Sequence, residues 1–142
     1  MAHVLPDSIR HQFGYLLAKT HQRQLRLFET HTRGMQVSAR QYATLLALEA
    51  NDALHQSDLA EWLGLDRTTV TYLVDGLEQR RWIRRQRDPA DRRAHRLHLT
   101  EDGIAALADI RPAAGAATQA LLAPLGADEQ TQLRALLARL LP

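Results

Sequence analysis

Between Gln56 and Leu77 two short apolar runs at helical spacing flank a single glycine and a single aspartate, and few folds accommodate that arrangement. Leu59, Leu63, Leu65, Val70, Leu73 and Leu77 form the seam, and Ala60 is small enough for two helices to approach closely. Gly64 falls between the runs, where a positive φ costs glycine nothing. Asp66 stands where an N-cap belongs, its carboxylate placed to accept from the amides of Thr68 or Thr69 at the positive end of a second helix. The spacing predicts a helix-turn-helix.

Residues set at 100° intervals along the second helix bury Val70, Leu73, Val74 and Leu77 together. Thr68, Tyr72, Asp75 and Gln79 take the opposite face, with Thr69 and Thr71 on the flanks. Hydroxyls, an amide and a phenol, with Arg67 at the N-terminal end, suit the mixed donors and acceptors of a DNA major groove. Any amphipathic surface helix also has a polar face, so this helix alone leaves both readings open.

The segment from Arg80 to Arg96 carries eight arginines against Asp88 and Asp91, a net of +6 in a chain whose total is +2. Positive charge is therefore concentrated beside the candidate recognition helix, as a phosphate-binding surface requires. Trp82-Ile83 begins an extended run, Asp88-Pro89-Ala90-Asp91 is a turn, and Arg96-Leu97-His98-Leu99 alternates as a strand does. Two strands joined by a basic loop make a wing.

The helix-turn-helix, then Gly76-Leu77-Glu78-Gln79-Arg80-Arg81-Trp82-Ile83-Arg84-Arg85, Asp88-Pro89-Ala90-Asp91-Arg92-Arg93 and Leu97-His98-Leu99-Thr100-Glu101-Asp102-Gly103, closely resembles the MarR family of bacterial transcription regulators over about residues 38–103. The resemblance implies an obligate homodimer, a winged-helix DNA-binding lobe in each subunit, repression of transcription, and often release by a small molecule. It also implies a mainly α fold with a small β-wing. The winged helix-turn-helix lobe then spans residues 33–100, and residues 1–32 and 101–142 supply dimerisation helices of one MarR-type domain. Two departures from the family pattern stand out. Arg81 precedes Trp82 where glycine is common, so either the helix ends differently or arginine tolerates a left-handed conformation. His55 occupies a place where a hydroxyl cap is common.

Chain length allows one domain and no second. Leucine and alanine dominate the apolar residues, which favours helix. The absence of cysteine excludes disulfides and thiol redox sensing and suits a cytoplasmic protein. No segment approaches the ~18 apolar residues of a membrane span, and a signal-peptide core is lacking at the N-terminus, so no membrane partner is expected.

In chain order, Met1–Pro6 is a lead-in, and Asp7 or Ser8 caps a helix to about Thr32 with Ile9, Phe13, Leu16, Leu17, Leu25 and Phe28 along one seam. His11, His21 and His31 recur every ten residues, but successive members point about 280° apart and no further ligands complete a tetrahedral set, so no metal is assigned. Ser38 and Gln41 form a capping box for a helix through Ala50 whose buried side is Tyr42, Leu45, Leu46 and Leu48. Asn51–Leu54 is a turn with room for a short third strand. Thr100 caps a helix to about Ala123 with Ile104, Leu107, Leu121 and Leu122 buried and a bend near Asp109–Arg111 ahead of Pro112. A last helix presents Leu133, Leu136, Leu137, Leu140 and Leu141 as a stripe, packed within one subunit or, as the resemblance implies, across a dimer interface.

The candidate DNA contacts are then Ser57, Arg67, Thr68, Thr69, Thr71, Tyr72, Arg84, Arg92 and Arg93. Ser57 meets a phosphate or serves only as a cap. Thr68, Thr69, Thr71 and Tyr72 face base edges and nearby phosphates. Arg92 and Arg93 enter the minor groove. Asp91 orients a wing arginine, Asp75 pairs similarly, and Arg85 and Arg96 join Arg84 as phosphate candidates. By resemblance an effector pocket draws on the first, second and fifth helices, with Tyr15, Met35 and Arg40 within reach. The effector is an aromatic or phenolic small molecule, or there is none. No cofactor and no enzymatic constellation is present. The competing class is a winged-helix module that binds a protein partner without specific DNA binding.

Overall fold

Ser38 starts the winged lobe with the predicted capping box. Its hydroxyl accepts from the Gln41 amide at 3.1 Å, and the Gln41 side chain accepts from the Ser38 amide at 3.0 Å. The computed structural model describes residues 5–142, so part of the predicted lead-in lies outside the described residues. The elements are α1 (Asp7–Arg10), α2 (Phe13–His31), α3 (Ala39–Ala50), β1 (Leu54–His55), α4 (Gln56–Leu63), α5 (Arg67–Gln79), β2 (Ile83–Arg87), β3 (His95–Leu99), α6 (Glu101–Leu122) and α7 (Ala127–Leu140). Residues 32–113 form one compact unit, and residues 5–31 with 114–142 form another.

In the first unit Leu45, Leu59, Val70, Val74, Leu77, Ile83, Leu97, Leu107 and Ile110 are fully buried, so one core serves helix-turn-helix, wing and the start of α6. The sheet is antiparallel in the order β1-β3-β2, with Leu54 and Arg85 flanking Leu97 and Ile83 opposite Leu99. Its centre is Leu97, which inserts into the core while its neighbours on β3 are half-buried. Gly64 takes the expected left-handed conformation at φ 62°. Asp66 caps α5 by accepting from the Thr69 amide at 2.7 Å.

The end of α5 resolves the question posed by Arg81. Its φ is 60°, and the amides of Arg81 and Trp82 bond to the carbonyls of Glu78 and Leu77 at 2.9 and 3.1 Å. This is a Schellman termination with arginine in the position glycine usually holds, so the left-handed strain is accepted and Trp82 lies in the bend while β2 begins at Ile83. Arg80 secures the bend: its guanidinium stacks 3.5 Å from the Trp82 ring and donates to the carbonyls of Met35 and Gln36.

Thr100 caps α6 by accepting from the Gly103 amide at 3.0 Å and donates to the Arg81 carbonyl at 2.5 Å. The helix continues through Pro112 to Leu122. Ile104, expected inside, is 56% exposed: Leu107 and Ile110 carry the seam, and Ile104 falls off it. Tyr42 and Leu46 are half-buried rather than buried, with Thr44 in a core place on α3, and Leu73 on α5 is half-buried as well.

In the second unit the expected single N-terminal helix is broken. Pro6, not Asp7 or Ser8, precedes a one-turn α1, and Gln12 starts α2 by accepting from the Leu16 amide. Gly14, a poor helix former, lies in that first turn. Phe28, Ala114, Ala117 and Leu122 are buried here, whereas Phe13, Leu16, Leu17, Leu136, Leu137, Leu140 and Leu141 are exposed. Among the described residues no helix is long and apolar enough to cross a membrane.

Candidate nucleic-acid interface

The recognition surface begins with what α5 leaves outside its core seam. Val70, Val74 and Leu77 face inward, and Thr68 and Tyr72 face outward, Tyr72 with 78% of its surface exposed. A phenol projecting this far from a helix otherwise locked to the core gains nothing from folding, so its place on the surface is free for recognition. Arg67 is exposed at the N-terminus of α5. Thr69 belongs to the cap, where its amide and hydroxyl both bond to Asp66 and hold that carboxyl below the usual carboxylate range. Thr71 donates its hydroxyl to the Arg67 carbonyl at 2.8 Å and receives the Gln56 side-chain amide at 3.4 Å, which ties α4 to the middle of α5.

The wing rises beside this helix. Asp88 and Ala94 close its loop through an amide-to-carbonyl bond of 3.0 Å, and Arg92 and Arg93 stand exposed at the turn. Asp91 holds Arg93 through the main chain, accepting from its amide at 2.9 Å. Among the described residues it makes no ion pair with a wing arginine. A cleft of about 470 Å³ separates the wing from the helices, lined by Ser57, Arg67, Arg93, Gln56 and His95 among others. Three of the expected contacts, Ser57, Arg67 and Arg93, therefore share one concave surface whose cations face the same space.

The arginines divide into two groups. Arg84 is exposed on β2 and donates to the Gln86 side chain at 3.3 Å. Arg85 is turned inward to Asp75 at 2.7 Å, the pairing expected of Asp75, and Arg96 is bound to Asp88 at 2.8 Å. Arg85, opposite Leu97, and Arg96, opposite Gln86, lie on different faces of the sheet, and each is engaged by an aspartate of the lobe in the chain without DNA. The sequence reading missed Asp88 as more than a turn residue. Its side chain is 3% exposed, accepts from Arg96 at 2.8 Å and from the Ala90 amide at 2.8 Å, and has His55 Nε2 3.1 Å from Oδ2. The Arg96 and Ala90 hydrogen bonds hold its carboxyl below the usual range. The one signal for it in the sequence was the spacing of Asp88 and Arg96 across a short hairpin.

Of the residues considered for an effector, Met35 lines a separate cleft of about 340 Å³ with Trp82, Asp102, Ala105, Asp109 and Ile110. Arg40 is exposed on α3, and Tyr15 belongs to the other unit.

A sequence profile described as MarR family matches residues 34–94, the span from the start of the lobe to the wing loop. A protein of Thauera aromatica described as a putative transcriptional regulatory protein for the hcr operon is 33% identical over 99% of this chain and 85% of its own length. The chain belongs to the MarR family. It is a winged helix-turn-helix transcription regulator. Solved structures agree over nearly the whole chain. The transcriptional repressor CouR, bound to a 23-mer DNA duplex, is 30% identical with a TM-score of 0.89 over 98% of this chain and 99% of its own. BpsR of Bordetella bronchiseptica, whose DNA binding is regulated by 6-hydroxynicotinic acid, is 29% identical with a TM-score of 0.86 over 96% and 97%. This MarR-family chain thus shares its fold both with a repressor held on DNA and with one controlled by an aromatic acid.

Proposed function

We propose that the chain acts in the cytoplasm as a homodimeric repressor, setting two recognition helices into successive major grooves about one helical turn, or ~34 Å, apart on a pseudo-palindromic operator. The observation that carries this reading is the outward face of α5, Thr68 and Tyr72, standing beside the exposed wing arginines Arg92 and Arg93. Thr68 and Tyr72 read base edges. Thr71 keeps acceptor capacity on its hydroxyl, and Thr69 fixes the helix end. Ser57, Arg67 and Arg84 meet phosphates, and Arg92 and Arg93 reach the flanking minor groove, where a narrow A·T-rich segment attracts arginine. The likeness to CouR supports the duplex as partner.

Dimerisation rests on the apolar residues that one subunit leaves outside. Phe13, Leu16 and Leu17 on α2 and Leu136, Leu137 and Leu140 on α7 all expose more than two-fifths of their surface within one unit. Water-facing apolar stripes on two helices of a folded chain call for a second copy. The likeness to BpsR supports a small aromatic effector that releases the operator.

Fluorescence anisotropy decides the central claim, using duplex from immediately upstream of the protein's own gene against a shuffled duplex at two salt concentrations. The expected result is a preference of ~10³ for the upstream duplex with steep weakening by salt. Binding without preference, or none at low salt, would instead favour an acidic protein as the partner of the wing. Release of the bound duplex by hydroxylated aromatic acids, and not by aliphatic acids of equal charge, tests the effector class.

A further inference from the structure

The N-terminus of α4 has an occupant that does not cap it. His55 takes the N-cap position at φ −67° and ψ 139° yet makes no side-chain bond to the helix. Its Nε2 instead lies 3.1 Å from Oδ2 of Asp88, the oxygen that also accepts from Arg96 Nε at 2.8 Å. The other oxygen of Asp88 accepts from the Ala90 amide at 2.8 Å. One carboxylate, 3% exposed, thus joins three pieces of the lobe: the start of α4, the wing loop and β3.

We infer that His55, Asp88 and Arg96 form a proton-responsive brace that fixes the wing relative to the recognition helices, so that duplex affinity rises when His55 gains a proton. His55 and Arg96 are direct cross-strand partners in the β1-β3 ladder, so their side chains reach Asp88 from neighbouring positions on the sheet. Arg96 supplies a permanent charge, since a guanidinium is not deprotonated in proteins. Histidine changes charge between about pH 5 and 8. At 3.1 Å from Asp88 Oδ2 the imidazolium sets a full positive charge against the carboxylate, which the neutral ring does not, and so adds a Coulombic attraction that only the protonated state has. A buried carboxylate depends on such partners to offset its lost hydration.

The consequence for DNA follows from what Asp88 begins. Its amide closes the wing loop onto Ala94, and Arg92 and Arg93 hang from that loop. α4 carries Gln56, which bonds to Thr71 on the recognition helix. Strengthening the His55–Asp88 link therefore tightens the relation between wing arginines and recognition face, and less ordering remains for the duplex to impose. The other charged and titratable groups on elements packed against β1 are Asp58 and Glu61 on α4 and His95 and His98 on β3, and His98 is engaged by Asp52 at 3.0 Å. They make some pH dependence of DNA binding general, so the brace is isolated by a variant at His55 alone. His55→Gln keeps a neutral polar side chain there and removes the charge that protonation brings.

The inference rests on the DNA-binding reading, and two measurements on the full chain separate them. Anisotropy against the preferred duplex at about pH 6 and about pH 8 is expected to show wild type gaining about fivefold in affinity at the lower pH beyond the gain of H55Q. Hydrogen exchange without DNA follows the Ala90 amide, with wild type and variant compared at each pH so that intrinsic exchange cancels. Exchange several-fold faster in H55Q at the lower pH, and matched exchange at the higher, supports the brace. Equal pH ratios in the two proteins together with equal Ala90 exchange at both values overturns it. Absence of duplex binding at either pH would instead overturn the DNA reading, and the exchange comparison would still decide whether the brace exists.

Discussion

Replacing Gly103 by alanine places a methyl carbon where the chain has no room. A Cβ built there lies 2.0 Å from the Trp82 carbonyl oxygen, 2.9 Å from the Trp82 carbonyl carbon and 2.8 Å from Leu99 Cδ1. Leu99 can turn away, but the Trp82 carbonyl is main chain and is anchored. It accepts from the Thr100 amide at 3.0 Å, while the Thr100 hydroxyl donates to Arg81 and the Trp82 amide closes the end of α5. Reaching ordinary van der Waals separation requires α6 and the start of the wing to part by more than 1 Å, which breaks both Thr100 bonds. Two hydrogen bonds at about 1 kcal/mol each, with about 1–3 kcal/mol for overpacking, outweigh the gain of about 1 kcal/mol from removing a helical glycine. The net expectation is a loss of about 2–4 kcal/mol, read by urea unfolding at fixed protein concentration because dimerisation shifts the midpoint. The same shift should weaken duplex binding, because Arg81, Trp82 and Thr100 set the root of the wing. Stability of G103A within about 0.5 kcal/mol of wild type would refute the steric reasoning.

Other outcomes follow from the same geometry. Arg92→Ala and Arg93→Ala should each weaken binding to all duplexes and lower the log-log salt slope by about 1 for every phosphate charge the removed guanidinium had neutralised, measured by anisotropy over a salt series. Tyr72→Ala should reduce discrimination between operator and shuffled duplex by about 1–3 kcal/mol while leaving that slope unchanged, and a changed slope would place Tyr72 on the phosphates instead. Leu136→Glu with Leu140→Glu should convert the dimer to monomer in sedimentation velocity, and an unchanged dimer would move the interface off α7. Asp66 and Asp88 both have carboxyls held below their ordinary values, so each contributes stability that is complete above the carboxylate range and is lost as pH falls through the lowered value. Asp88→Asn should accordingly flatten the acid limb of the stability curve, followed by circular dichroism.

Local rules made much of the lobe legible. The Ser38 box, the left-handed Gly64, the Asp66 cap and the Thr100 cap each depend on a few adjacent residues, and each formed as the spacing predicts. What escaped depended on contacts far apart in sequence. Asp88 reads as a turn former until β1 brings His55 to it, and the pairing of the phosphate candidates Arg85 and Arg96 with Asp75 and Asp88 shows only once the strands are laid side by side. Ile104 fits a helical seam only if the seam is drawn without knowing that Leu107 and Ile110 face the core. The break at His11 and Gln12 has no strong sequence signal, since Gly14 weakens the turn without specifying where it parts.

These internal pairings change what the +6 of the basic segment means. Arg80 is engaged by the carbonyls of Met35 and Gln36 and the Trp82 ring, Arg85 by Asp75 and Arg96 by Asp88. Their role is to hold the bend, the strand and the wing in place, which a lysine's single flexible ammonium could not do at the stacked or forked sites. The exposed cations are Arg81, Arg84, Arg87, Arg92 and Arg93, with Arg67 across the cleft. If all six neutralised phosphate, a dimer would show a log-log salt slope near about −11, whereas insertion of Arg92 and Arg93 into the minor groove leaves four per subunit for phosphate and lowers it toward about −7. The slope therefore measures how many arginines the fold has left for DNA. A value steeper than the six can supply would mean that further cations join them, exposed Arg33 or Arg40 or an Arg85 or Arg96 that leaves its aspartate on binding.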